Sequence, residues 1–150
     1  MGSKSDRPYG NRLDGLLGAV MKKFLLYLWQ LPQNLLGLAV IAFTKAHPTV
    51  HDYYFSYRYG FGVSLGAYII FGKRTPRDID VHHEQGHQKQ SLYLGPLYLL
   101  LIGLPSALGN LWDRIFHTKW SAKDRKKWYH SLVWEAGADS LGKVTRWELL

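Results

Sequence analysis

Two stretches without a single charge decide most of what this chain can fold into. The first, FLLYLWQLPQNLLGLAVIAFT, covers residues 24–44; the second, SLYLGPLYLLLIGLPSALGNLW, covers 91–112. As one straight helix, either would run ~30 Å, the thickness of a bilayer's hydrocarbon core. Neither has the texture of a plain span. Gln30, Pro32, Gln33 and Asn34 sit at the middle of the first, where hydrocarbon tolerates polar groups least. They predict a helix–break–helix, packed on the domain or lying in a membrane interface. Lys22 and Lys23 ahead of it, Tyr27 and Trp29 near its start and Lys45 at its end keep 24–44 a candidate for membrane association. In the second stretch, Gly95, Pro96, Gly103, Pro105 and Gly109 predict breaks near 95–96 and 103–105. That segment should fold back as a hairpin and not cross. No small-residue cleavage site marks a removable signal peptide.

The remainder reads as one domain. Residues 1–14 are polar and Gly-rich, a flexible N-terminus; 15–150 form a single minimal domain. YYFSYRY, 53–59, then Gly60 and Gly62, then VSLGAYIIF, 63–71, predict a β-hairpin turning at the two glycines. In GKRTPRD, Thr75 is the expected N-cap, Pro76 the first helical residue and Asp78 the capping-box partner. A helix should follow over 76–91. Ser121 with Asp124 caps another, expected to run unbroken to Leu141 and stop at Gly142. The fold class is therefore α+β: a small hairpin or sheet packed on two helices, with apolar helical segments at 24–44 and 91–112.

The net charge of +8 favours anionic partners. Much of it lies in KK 22–23, KR 73–74 and KDRKK 123–127, which read as solvated helix ends and loops. No RNA- or DNA-binding motif surrounds them, so a nucleic-acid partner is not expected. There is no Cys. Disulfides, thiolate nucleophiles and thiolate metal sites are excluded, and any metal must be held by His, Asp or Glu.

VHHEQGHQKQ, 81–90, supplies such ligands. His83 and His87, four apart on a helix, can present two imidazoles to one ion, while Glu84, about 100° round, stands beside it to take a proton from bound water. Gly86 costs about 1 kcal/mol against Ala inside a helix, which points to another element approaching closely. A catalytic zinc site wants a third protein ligand. WEAGADSLG, 134–142, offers Glu135, with Asp139 one turn on to hydrogen-bond a ligating imidazole. On one continuous helix Trp128 and Leu132 would share that face, making it a buried one. His82, His47 and His51 read as solvated or structural.

The pair HEQGH, 83–87, and EAGAD, 135–139, resembles the HExxH…ExxxD pattern of the gluzincin metallopeptidases, the family of thermolysin. The resemblance implies a zinc (Zn2+) cofactor held by His83, His87 and Glu135. It also implies Glu84 as general base, Asp139 behind a ligating histidine, and a peptide or protein substrate. A strand beside the first helix, with 63–71 the nearest, would pair with the substrate. The wider stretch, roughly 50–145, also resembles a group of small bacterial proteins that carry an HExxH. Two departures stand out. No residue maps onto the family's transition-state stabiliser: His82, His117, Tyr93 and Tyr129 are candidates, and His130, about 140° round a continuous helix from Glu135, should face away. The chain also leaves little room for a deep specificity pocket.

Other readings compete. One is a non-catalytic membrane-associated protein, with or without a structural metal; another is a basic nucleic-acid binder using 119–127. A site-2-type intramembrane protease would need a later Asp in an NxxPxPxxDG-like setting, which LPSALGNLWD lacks.

Overall fold

The structure, a computed structural model, describes residues 10–49, 52–58, 60, 62–72 and 75–146, with side chains from residue 15 onward. Its centre is the crossing of two helices, α3 (Asp78–Leu94) and α6 (Val133–Gly142). Glycine permits the crossing at both ends. A Cβ on Gly86 would run into the carbonyl oxygen of Ala138, and one on Gly142 into the carbonyl oxygen of His82. The close approach expected at Gly86 is therefore there, and it faces His83 and His87 toward Glu135 and Asp139. Because Gly142 is used for packing, the left-handed residue that ends α6 is Lys143 (φ 57°).

Three boundaries differ from expectation. Arg77, extended at φ −71° and ψ 149°, precedes α3 in place of Thr75, with no side-chain cap. Its guanidinium instead donates to both Asp80 carboxylate oxygens at 2.8 and 2.9 Å. The expected 121–141 helix is two, α5 (Ala122–Ser131) and α6, because Leu132 is extended at ψ 138°. Trp128 and Leu132 thus do not continue the Glu135 face. The Ser121 cap does form: its hydroxyl accepts from the Asp124 N–H at 3.1 Å and donates to the Asp124 carboxylate at 2.7 Å. Residues 10–14 belong to α1 (Gly10–Trp29) and not to a flexible tail; 1–9 lie outside the described residues.

The sheet is mixed, in the order β1 (His47–Pro48), β2 (Tyr54–Phe55), β4 (Tyr68–Phe71), β3 (Gly62–Leu65). The hairpin is β3–β4, with Val63 opposite Ile70 and Leu65 opposite Tyr68. It lies wholly within 62–71, not between 53–59 and 63–71 as expected. VSLGAYIIF carries its own turn at Gly66–Ala67, where Gly66 has φ +63° and Asn34 Oδ1 accepts the Ala67 N–H at 2.8 Å. β2 lies parallel to β4 instead. His47 sits exposed in β1; His51 and the 73–74 pair lie outside the described residues. Tyr53, Ile69 and Phe71 make a small core against Val81 of α3.

Both uncharged stretches bend. α1 and α2 (Leu31–Thr44) meet at 83° around Gln30, the helix–break–helix expected. The amides that break it are buried and bonded. Gln33 Nε2 donates to Ser91 Oγ and to the Gly95 carbonyl, both at 2.9 Å. Ser91 Oγ donates to Gln30 Oε1 at 2.7 Å, and Asn34 Nδ2 to the Tyr27 carbonyl at 2.9 Å. Downstream, α3 gives way to a 3-10 turn (Gly95–Leu97) and then, after a 119° bend, to a π-helical turn (Leu99–Gly103) that runs into α4 (Leu104–Phe116). The break expected near 95–96 is present and the one near 103–105 is not. Pro105 lies in the first turn of α4 directly after the π-helical turn, where the local change of hydrogen-bonding pattern accommodates a residue without an N–H. Among the described residues, no single helix is long and apolar enough to cross a membrane.

Gly86→Ala tests the crossing, because two effects oppose each other. Helix propensity alone would stabilise by about 1 kcal/mol. Overpacking costs typically about 1–3 kcal/mol, occasionally more, and here the obstacle is backbone that cannot swing aside. Thermal unfolding followed by circular dichroism should show a lower Tm; a rise would mean that the helices are not in contact at this point.

Candidate metal centre

His83 and His87 of α3 each have their Nδ1 held by an acceptor, on α6 or on the same helix. His83 Nδ1–H donates to Asp139 Oδ1 at 2.6 Å. His87 Nδ1–H donates to Gln90 Oε1 at 2.7 Å, and the Gln90 amide is oriented by its own donation to the Trp134 carbonyl at 2.9 Å. A carboxylate and an amide oxygen can only accept, so in the neutral form of each ring the proton sits on Nδ1 and the lone pair on Nε2. Both Nε2 atoms then converge on Glu135 Oε2, at 3.1 Å from His83 and 3.3 Å from His87. Three electron-rich atoms at that range repel unless positive charge lies among them.

Either a proton or a metal ion can supply it. Burial works against charging His83, but hydrogen bonds to Asp139 and Glu135 outweigh it and push the imidazole up to about 9. Burial likewise works against an ionised Glu135, whose carboxyl is nonetheless held far below its usual range by His83 and His87. A divalent ion fits the same place. Metal–ligand bonds of 2.0–2.2 Å in a tetrahedron give ligand–ligand edges of about 3.3–3.5 Å, and the two observed edges lie at or just under that. His83, His87 and Glu135, all buried, are thus a group that could hold a metal ion.

Behind the three atoms stands a second layer. Asp139 also accepts from Arg146 Nε and Nη2 at 2.6 and 2.8 Å. Burial would raise the Asp139 carboxyl, but His83 and Arg146 keep it low. Ser106 of α4 donates to Glu135 Oε1 at 2.5 Å and shares a 2.9 Å hydrogen bond with the Tyr129 hydroxyl. The other oxygen of Glu135 is therefore tied away from the histidines. A second trio, His83, His130 and Asp139, is also close enough for an ion. It is the poorer site, since Asp139 is already neutralised by Arg146 and bonded to His83 Nδ1.

Every residue expected at the centre is brought there: His83, Glu84, His87, Glu135 and Asp139. Glu84 is buried at the wall of the cleft, and burial pushes its carboxyl up despite the two histidines beside it. His130 is a correction. The bend at Leu132 turns it onto His83, ring centroids 5.1 Å apart and edge to face, instead of away. Burial, then the charges of Arg146 and His83, push it down to about 4. Of the stabiliser candidates only Tyr129 lines the cleft. His82 and Tyr93 are exposed, and His117 stacks on Trp120 and pairs with Asp113 at 3.1 Å. Gln90, Ser106 and Arg146 were missed. Gln90 could have been found, because it lies three residues after His87 on the same helix face; Ser106 and Arg146 carry no local signal. The cleft itself is about 600 Å³, roomier than expected. Comparison with protein-family models, curated proteins and solved structures finds no match to this chain.

Adding zinc to metal-free protein should raise its Tm in a concentration-dependent way, by the linkage that any ligand of the folded state obeys. Glu135→Ala, His83→Ala and His87→Ala should each abolish the rise. Gln90→Ala and Asp139→Ala should weaken zinc binding about 10–100-fold, as second-layer changes do, read by competition with a chromophoric chelator. Full zinc occupancy in Glu135→Ala would remove Glu135 as a ligand.

Proposed function

We propose that this chain is a zinc-dependent hydrolase of peptide bonds. The observation that carries the reading is the position of Glu84, a buried carboxylate beside the His83–His87–Glu135 trio on the wall of an open cleft. Two imidazoles and one carboxylate, without thiolates, suit zinc and leave a position free for chemistry. When bound there, zinc would lower the pKa of a water molecule toward 7 and polarise a carbonyl oxygen. Glu84 would take the proton of that water. Its raised carboxyl makes it a stronger base than an exposed glutamate. It would then deliver the proton to the leaving amine.

The walls suit an extended substrate. β3 lies at the edge of the sheet and lines the cleft, so a peptide could add to it as a further strand. Gly62 of β3 sits over the Glu84 carboxylate where a Cβ would collide with it, which keeps the strand close to the base. Tyr129 offers a donor for negative charge developing on a carbonyl oxygen. Burial and the nearby Glu135 carboxylate push its phenol up, so it stays protonated. Its hydroxyl hydrogen-bonds to Ser106 at 2.9 Å, beside Glu135.

Glu84→Gln is nearly isosteric and should keep both zinc and fold. It should lose about 10²–10⁴-fold in the hydrolysis of a fluorogenic peptide library. Activity surviving in that variant would remove Glu84 as the base. Tyr129→Phe should lower kcat about 10²-fold with KM little changed; a change in KM alone would make Tyr129 part of substrate binding only.

A further inference from the structure

We propose that the two bent apolar arms, α1–α2 and 97–116, seat in one leaflet of an anionic lipid bilayer and that the metal cleft opens at the membrane surface. The proposal locates the substrate for the hydrolase reading, yet its support is separate and involves no metal.

The distribution of polarity is inverted in this half of the molecule. Among the largest fully buried side chains are Gln33, Asn34, Ser91 and Glu135, with Ile70 the one apolar member. Outside, Phe24, Leu28, Leu104, Leu108, Leu111 and Trp112 are each 44–57% exposed. Fully burying one such side chain is worth about 1.5–3 kcal/mol, and a monomer in water seldom leaves a contiguous field of them uncovered. Most of the exposed large hydrophobics lie on the two arms, with Tyr57, Tyr93, Trp120 and Val133 exposed elsewhere, and the arms include most of the uncharged stretches 24–44 and 91–112.

Shape then chooses between crossing and seating. The first arm bends by 83° at its middle and the second leaves α3 through a 119° bend, and among the described residues no single helix is long and apolar enough to cross, so the arms suit lying in one leaflet. Charge chooses the lipid. Lys22 and Lys23 lie on α1 just before its uncharged part, Lys45 ends the first arm and Lys119 follows the second, each worth about 1 kcal/mol near an anionic surface. The exposed residues do not form one seam. On α2, Leu31, Leu35 and Leu38 follow one face, while Phe43, 82% exposed, lies off it. Such a surface suits a fluid layer better than a shaped protein partner. The inner sides of the same arms, through Leu36, Val40, Leu99 and Ala107, line the metal cleft. Arms seated in lipid therefore bring the cleft to the interface, where the substrate would be a membrane-bound or apolar peptide.

The full chain, mixed with vesicles of phosphatidylcholine alone or with one-third phosphatidylglycerol, is tested by flotation. It should float with the anionic vesicles, float less with the neutral ones, and stay bound in 1 M salt, where screening shortens to about 3 Å. Leu104→Asp/Leu108→Asp/Leu111→Asp should lower binding at least tenfold while keeping its near-ultraviolet circular dichroism. Should that variant misfold, the absence of native Cys allows Phe24→Cys and Leu108→Cys to carry a fluorophore, which should be quenched by nitroxides on lipid tails. Gln85→Cys and Lys119→Cys should label from the same side of sealed vesicles. Failure to float, unquenched probes, labelling from opposite sides, or a stable dimer that covers Leu108 and ignores vesicles would each overturn the proposal. Glu135→Ala should lose hydrolysis yet float like the unaltered chain; an unaltered chain that floats but cleaves no peptide would count against the enzymatic reading alone.

Discussion

A carboxylate that is 1% exposed faces two imidazole nitrogens across 3.1 and 3.3 Å, and the rest of the molecule is arranged around that contact. An ionised group so deep is tolerated only when paired and hydrogen-bonded. Glu135 has four partners from three other helices: His83 and His87 of α3, Ser106 of α4 and, through Ser106, Tyr129 of α5. The centre is thus a junction and not a decoration on a finished fold. Its apolar counterpart is small, with Tyr53, Ile69 and Phe71 gathered on Val81. In a domain with so little core, an ion at the junction would contribute folding energy directly.

The same economy governs the other end of α3. Ser91 receives Gln33 and donates to Gln30, and the Gly95 carbonyl takes the second proton of the Gln33 amide. Asn34 ties the β3–β4 turn to the α1–α2 bend. Each bond is worth about 0.5–1.5 kcal/mol when made, and a partner left unsatisfied costs about 1–3 kcal/mol. The amides therefore do more than break a helix. They fix where the break falls and which way the two apolar arms leave it.

What could be read from sequence followed the range of the interaction. His83, Glu84 and His87 are set by one helical turn, and Glu135 and Asp139 by another, so their faces were legible before any tertiary contact was known. Gly86 was legible as well, because glycine inside a helix has a cost that needs a reason. The polar interruption at 30–34 gave the first bend. The failures were of two kinds. Leu132 is an ordinary helix former, and only tertiary packing explains its extended backbone. Missing that kink hid His130. The β-hairpin was placed wrongly because Gly66 was read as part of a strand, although its left-handed φ needs the Asn34 side chain, thirty-two residues away in sequence, beside it. Ser106 reaches Glu135 across twenty-nine residues, and Arg146 folds back onto Asp139 from beyond the end of α6.

Ser106 also ties the two halves of the molecule together. Its hydroxyl, on the inner side of α4, holds Glu135 at 2.5 Å, while Leu104, Leu108 and Leu111 of the same helix point outward and are 50–54% exposed. A helix moves as a rigid body over so few residues. A hydrogen bond weakens steeply once donor and acceptor are drawn apart by a few tenths of an ångström beyond its normal range. The outer leucines and Glu135 are joined by that bond and by the packing of Gly109 beside Leu132, Tyr129 and Trp134. A π-helical turn at Leu99–Gly103 leads into α4, an irregularity of the kind frequent at functional sites. The apolar arm and the metal centre thus share one helix, with the leucines on its outer side and the hydrogen-bond partner of Glu135 on its inner side.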